Sequence, residues 1–121
     1  MRSASGLEGG SEGLVMFAVI YRWQVVPGLD AQFEAGWRRG AERVAAEFGG
    51  WGSRLHKAAD GAFVAYGQWP DEETWKKAME TRMRHSDDEA RQQYLDAIVP
   101  GTFETLAKGD VVADLLELRR P

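Results

Sequence analysis

The chain has no cysteine. That excludes disulfide staples, thiol nucleophiles and cysteine-ligated zinc. It suits a reducing compartment, so a cytoplasmic protein is expected. Histidine is scarce: His56 and His85 are the only two, far apart in sequence, which gives no transition-metal spacing, so no metal site is expected. Long apolar runs are also missing. The longest, Leu14 to Tyr21, has 8 residues, against the ~20 needed to cross a bilayer. No basic segment leading into a long apolar stretch opens the chain, so neither an export signal nor a membrane partner is expected. Positive charge is in deficit, with 15 Lys and Arg against 19 Asp and Glu and a net charge of −4. A protein that tracks a phosphate backbone is usually basic, so nucleic acid is not an expected partner. Phosphate-cradling glycine patterns are absent, and none of the serines at 3, 5, 11, 53 and 86 sits in a nucleophile elbow.

What is present fits one domain, since 121 residues can bury about two-thirds of the unfolded surface. The opening "MRSASGLEGGSEG" is too rich in Gly, Ser and Glu to bury itself, so residues 1–15 are expected to form a disordered tail, with the domain spanning 16–118. "MFAVIYRWQV" (16–25) alternates and is rich in β-branched and aromatic residues, which reads as a strand. After "PGLD", Leu29, Phe33, Trp37, Ala41, Val44 and Phe48 recur at helical spacing. Gly36 and Gly40 lie on or beside that stripe and allow a neighbouring backbone to come close, and "GG" (49–50) stops the helix. "WGSRLHK" (51–57) and "AFVAYGQW" (62–69) flank a hairpin signal, "AADG". Asp71 is a good N-cap for a second helix, and the acidic runs "DEE" and "DDE" sit where acids favour helix starts. "SDDE" (86–89) has capping-box form and predicts a break near 84–86, with a further helical piece burying Ala90, Tyr94, Leu95 and Ile98. "DVVADLLEL" (110–118) reads as the last strand. The order βαββαβ predicts an α+β, ferredoxin-like fold with a four-stranded antiparallel sheet.

Alternation divides each strand between two faces. Phe17, Val19, Tyr21 and Trp23 share one face with Phe63, Ala65, Gly67 and Trp69, whereas Ala18, Ile20, Arg22, Val64 and Tyr66 share the other. Neither face is cleanly polar, and two helices cover only one. A homodimer packing sheet on sheet is therefore expected. The hairpin leaves two registers open. A two-residue turn at Asp60-Gly61 puts His56 opposite Ala65 on the helix side, and a three-residue loop at 59–61 sends His56 and Arg54 to the other face.

"FAVIYRWQVVPG", an amphipathic helix, "GSRLHKAADGAFVAYGQWPDEETW" and "DVVADLL" together resemble the antibiotic biosynthesis monooxygenase-like domains of the dimeric α/β-barrel superfamily, over about residues 16–118. The resemblance implies two sheets facing each other as a dimeric α/β barrel, and a pocket in each protomer between its sheet and its own helices. Some members oxidise aromatic polyketides with oxygen and neither metal nor flavin, a related branch degrades haem, and many have no established activity. The tryptophan ending the third strand maps onto Trp69, the aromatic on the next helix onto Trp75, and a histidine further along onto His85. A strand asparagine used by both active branches has no counterpart, because the chain contains no Asn; Tyr21 and Ala65 stand at the corresponding positions.

Cofactor-free oxidation needs a base, a donor for the developing oxyanion and a dry aromatic cavity. Tyr21, Trp23, Trp69 and Trp75 are the expected pocket residues, with Phe17, Phe33, Trp37 and Phe63 read as core. His85 and His56 are the candidate bases, being the groups that ordinarily titrate near neutrality. The leading expectation is thus a cofactor-independent monooxygenase-like protein acting on a small, flat aromatic or quinol-type molecule. In it Trp69 and Trp75 clamp the ring, Tyr21 donates a hydrogen bond and a histidine acts as base. The alternatives are a non-enzymatic dimeric domain that binds a hydrophobic small molecule, and third, given the missing asparagine, haem binding or degradation.

Overall fold

The computed structural model describes residues 16–117. The expected tail at 1–15 and the end of the domain at 118 lie outside them. The elements are β1 (Phe17–Trp23), α1 (Asp30–Phe48), β2 (Ser53–Lys57), β3 (Phe63–Trp69), α2 (Glu72–Glu80), α3 (Asp88–Ala97) and β4 (Glu104–Asp110). The strands form one antiparallel sheet in the order β2-β3-β1-β4. This is the ferredoxin-like arrangement, with the second helical segment broken into α2 and α3.

The strands sort their faces as the alternation predicts. β1 and β3 each bury every second residue, and the register pairs Phe17 with Trp69 and Tyr21 with Ala65. Those buried residues meet Phe33 of α1, which touches the rings of Trp23, Phe63 and Tyr94. Phe33, Phe63 and Val19 are the largest fully buried side chains, each stabilising the fold by about 1.5–3 kcal/mol. The opposite face carries Ala18, Ile20, Val64 and Tyr66, all part-buried within the single chain.

Local signals set the helix ends. Gly49 closes α1 in the left-handed conformation (φ 81°). The Asp71 carboxylate accepts from the Thr74 N–H at 2.8 Å and starts α2. Trp75, four residues later, packs on Phe17 and ties the β3–α2 joint to β1. α2 ends in a tight turn where Arg82 and Met83 both adopt positive φ, costing about 1–2 kcal/mol per residue without a glycine. Beyond α3, the Val26 N–H donates to the Ala97 carbonyl and the Val99 N–H to the Gln24 carbonyl, pinning the end of α3 to the end of β1.

Three expectations are corrected. Leu95, expected in the buried stripe of α3, is exposed. Ser86 does not cap α3; Asp87 does, accepting from the Ala90 N–H at 3.0 Å. The Ser86 N–H instead donates to Glu47 of α1, 3.0 Å away. The last strand is not 110–118 but Glu104–Asp110, paired with β1 from Phe17↔Asp110 to Arg22↔Glu104 with a bulge opposite Ile20/Tyr21. Every residue of β4 is exposed, so its backbone pairs without any apolar face to advertise it. Val112, Leu115 and Leu116, which carried the apolar signal, lie in irregular, exposed chain.

Gly36 sets how closely α1 and α3 pack. A Cβ there would lie 2.7 Å from the Tyr94 backbone N and 2.9 Å from the Ala90 carbonyl oxygen, closer than real contacts permit. Gly36→Ala is expected to lower stability by about 1–3 kcal/mol in urea unfolding through overpacking, against a helix-propensity gain of about 1 kcal/mol. A net stabilisation would contradict this packing.

Candidate functional site

A half-open cavity of about 810 Å³ lies between the helix-side face of the sheet and helices α1 and α3. This is within the range of small-molecule sites. Tyr21 and Trp23 of β1 and Trp69 at the end of β3 form the aromatic side, and Trp37 of α1 faces them. His85, between α2 and α3, and Arg91 and Tyr94 of α3 complete the lining. The cavity reaches a histidine, and the space beside Trp69 is not packed shut.

Each aromatic has a distinct polar role. The Tyr21 hydroxyl accepts a hydrogen bond from Trp75 Nε1 at 2.7 Å. Burial pushes the phenol up to about 12, against the opposing pull of that indole donor. Tyr21 is therefore protonated at neutral pH, and its own proton has no acceptor among the described residues. Trp75 lies behind Tyr21 and does not line the cavity. Its N–H is committed to Tyr21, so it supports that side chain instead of touching a ligand. Trp23 Nε1 is buried without a well-formed hydrogen bond. The Tyr94 hydroxyl is near enough for that indole to counter, in part, the upward shift that burial imposes on its phenol.

His85 is 7 % exposed. Its Nδ1 accepts the Asp87 backbone N–H at 3.2 Å, which favours the tautomer carrying its proton on Nε2. Nε2 sits over Gly40, where a Cβ would come within 3.0 Å. So His85 presents a donor beside α1, and a lone pair is not what it offers. Burial lowers its pKa; Glu47 and Asp87 oppose that shift, while Arg91 and Arg43 reinforce it.

The hairpin resolves the other histidine. The Ala58 N–H donates to the Ala62 carbonyl across a three-residue loop, with Gly61 at φ 91°, and His56 pairs with Val64 and Arg54 with Tyr66. This parity puts both on the face away from α1. His56 is exposed, its Nδ1 donates to the Val64 carbonyl at 3.2 Å, and on the edge strand it borders a separate depression that Trp37 and Arg38 also line. As a base for a molecule in the main cavity, His56 is misplaced by one residue of register.

Sequence reasoning passed over several lining residues. Trp37 reads as core by helical spacing, and Tyr94 as the buried stripe of α3, yet both face the cavity. Phe103 packs on Tyr21 and Trp23, with ring centroids 5.5 and 5.7 Å away, though it stands in a loop with no periodic signal. Arg82 and Arg91 gave no pattern at all. Among the described residues, no group of three or more His, Asp or Glu is placed to hold a metal, and no helix is long and apolar enough to cross a membrane.

The family model described as antibiotic biosynthesis monooxygenase matches residues 16–97. No curated protein matches the sequence. Among solved structures, the chain resembles a mutant form of SnoaB, a cofactor-independent oxygenase from Streptomyces nogalater. The identity is 19 %, the TM-score 0.61, and 84 % of this chain and 98 % of that one are covered. A protein of unknown function from Nitrosomonas europaea, NE2512, gives 16 % identity and TM-score 0.62 over 88 % and 99 %. A putative antibiotic biosynthesis monooxygenase from Bordetella bronchiseptica gives 17 % and 0.61 over 81 % and 98 %. At these identities the likeness to solved structures is one of fold.

The His85 environment carries a sign that can be checked. Its folded pKa lies below the ordinary 6.5, so the unfolded chain binds the proton first as pH falls. The stability tied to neutral His85 is present above pH 6.5 and lost as pH drops through the lowered folded value. Urea unfolding from about pH 7.5 to about pH 5 is expected to show this loss, with a shallower slope in His85→Gln. Long-range ¹H–¹⁵N spectra are expected to show the Nε2–H tautomer, and an Nδ1–H form would contradict the assignment.

Proposed function

The chain belongs to the antibiotic biosynthesis monooxygenase family, and from that premise we propose that its cavity binds a small, flat aromatic or quinol-type molecule and promotes its oxidation by O₂ without a cofactor. The observation that carries this reading is the lining itself: aromatic walls with side-chain donors at Tyr21, Tyr94, Trp23 and His85. Such a site favours the ionised form of a bound phenol or enol, because every donor improves with negative charge on the ligand oxygen. The ionised ring then gives an electron pair to O₂ and a C–O bond forms. Proton uptake yields a hydroperoxide, and loss of water leaves a carbonyl where a CH₂ stood. Oxygen is the oxidant and water carries away its second atom. In this scheme Tyr21 and His85 stabilise oxyanions, Trp69 faces the ring, and donor stabilisation replaces much of the work of a strong base.

A second reading, sequestration of a hydrophobic molecule without turnover, is favoured by one observation: the His85 lone pair at Nδ1 is occupied by Asp87 N–H. The same occupancy leaves no imidazole lone pair facing the cavity for a haem iron. Membership is also consistent with a homodimer, in which a second copy covers the semi-apolar outer face with Ile20 and Val64. Sedimentation equilibrium at micromolar concentration is expected to return twice the 13.5 kDa chain mass, and a monomer would overturn the dimer.

Oxygen uptake with 1,8-dihydroxyanthrone tests the enzymatic reading. Catalysis above spontaneous autoxidation is expected, falling about 10²-fold in Tyr21→Phe. Binding with no added oxygen consumption would replace it with the sequestering reading.

A further inference from the structure

The cavity has no acidic side chain in its lining, although the chain as a whole is acidic at −4. It does have two arginines, exposed Arg82 in the α2–α3 turn and half-buried Arg91 in α3. Arg22 is paired with Asp60, Arg39 with Asp87 and Glu89, and Arg43 with Glu47, whereas Arg38, Arg54 and Arg84, which do not line the cavity, have no ion pair among the described residues. Neither Arg82 nor Arg91 has a carboxylate partner among the described residues. Arg91 is half-buried, and its charge is felt by both His85 and the Tyr94 hydroxyl. The buried indole N–H of Trp23, 3 % exposed, has no well-formed partner.

These observations share one sign. A half-buried cation without a counter-charge, in a lining that also holds an under-satisfied buried donor, favours the arrival of an acceptor. A ligand carboxylate supplies such an acceptor, because a guanidinium holds a planar acid through two parallel N–H bonds. We propose that the cavity selects aromatic molecules bearing a permanent acidic substituent, a ring carboxylate, held by Arg91 with Arg82 as the second cation of the lining. The aromatic body then lies along Trp69 and Tyr21. This rests on the reading that the cavity is the substrate site, and it fixes the substrate class: arene carboxylates in preference to neutral arenes.

The test compares 2-naphthoate with its methyl ester, which has the same ring and no charge, by equilibrium dialysis against the full chain. The acid is expected to bind at least about tenfold tighter, with the preference shrinking as salt rises. Arg91→Met keeps the apolar stem and is expected to abolish most of the preference, acid affinity falling much more than ester affinity. Arg91→Lys, a milder change, is expected to keep part of it, and Arg82→Gln to reduce it by less. Equal binding of acid and ester by the unaltered protein overturns anion selection and leaves the aromatic-cavity reading standing. Failure of both to bind overturns the two together. An undiminished preference in Arg91→Met, Arg91→Lys and Arg82→Gln alike overturns the assignment of the arginines.

Discussion

The close approach of α1 and α3 at Gly36 is the constraint on which the cavity depends. With no side chain at residue 36, the α3 backbone at Ala90 and Tyr94 rests directly on α1. That contact sets Tyr94 and Arg91 along the cavity, and it is reinforced by Gln32 donating to the Gln93 carbonyl and by Arg39 on Asp87. One turn further along α1, Gly40 leaves room for the His85 ring. A methyl at either position would move the wall that carries the site's polar groups. The two glycines weaken α1 by about 1 kcal/mol each, a loss offset by what the groove admits.

The polar chemistry follows from how two indoles and two phenols share their hydrogen bonds. Trp75 gives its N–H to Tyr21, which fixes the phenol and leaves the phenol proton facing no protein acceptor. Trp23 has no such partner. Burial keeps both phenols protonated at neutral pH. The cavity side chains therefore donate much more than they accept, and the uncompensated arginines extend the same polarity. In an acidic protein, the cavity lining thus carries cations and no carboxylate.

Much of the fold was legible because burial writes a period into sequence. The alternation of Phe17 to Trp23 and Phe63 to Trp69 placed both central strands and their faces, and Asp71 and Gly49 marked helix ends. What failed did so where burial was absent or ambiguous. Glu104–Asp110 pairs only through its backbone, so apolar content pointed past it to 110–118. Ser86 fitted a capping pattern, but Asp87 had the better geometry and Glu47 took the serine. The hairpin parity that removes His56 from the cavity depended on one residue of loop length. In the site, Trp69 and Tyr21 could be anticipated, but Trp37 and Tyr94 carried the same helical period as core residues. Arg91 carried no pattern, since an unpaired charge becomes visible only when its neighbours in space are known.

The central claim is that a ring enters beside Trp23 and Trp69 while Trp75 stays behind Tyr21. The five indole N–H signals of ¹⁵N-labelled protein, assigned by single Trp→Phe variants, report this directly during titration with 2-naphthoate. The account predicts large shifts for Trp23, whose N–H gains an acceptor, and for Trp69 and Trp37. It predicts small ones for Trp75, which is held by Tyr21, and for exposed Trp51. Shifts confined to Trp51, or Trp75 moving more than Trp23, would contradict it.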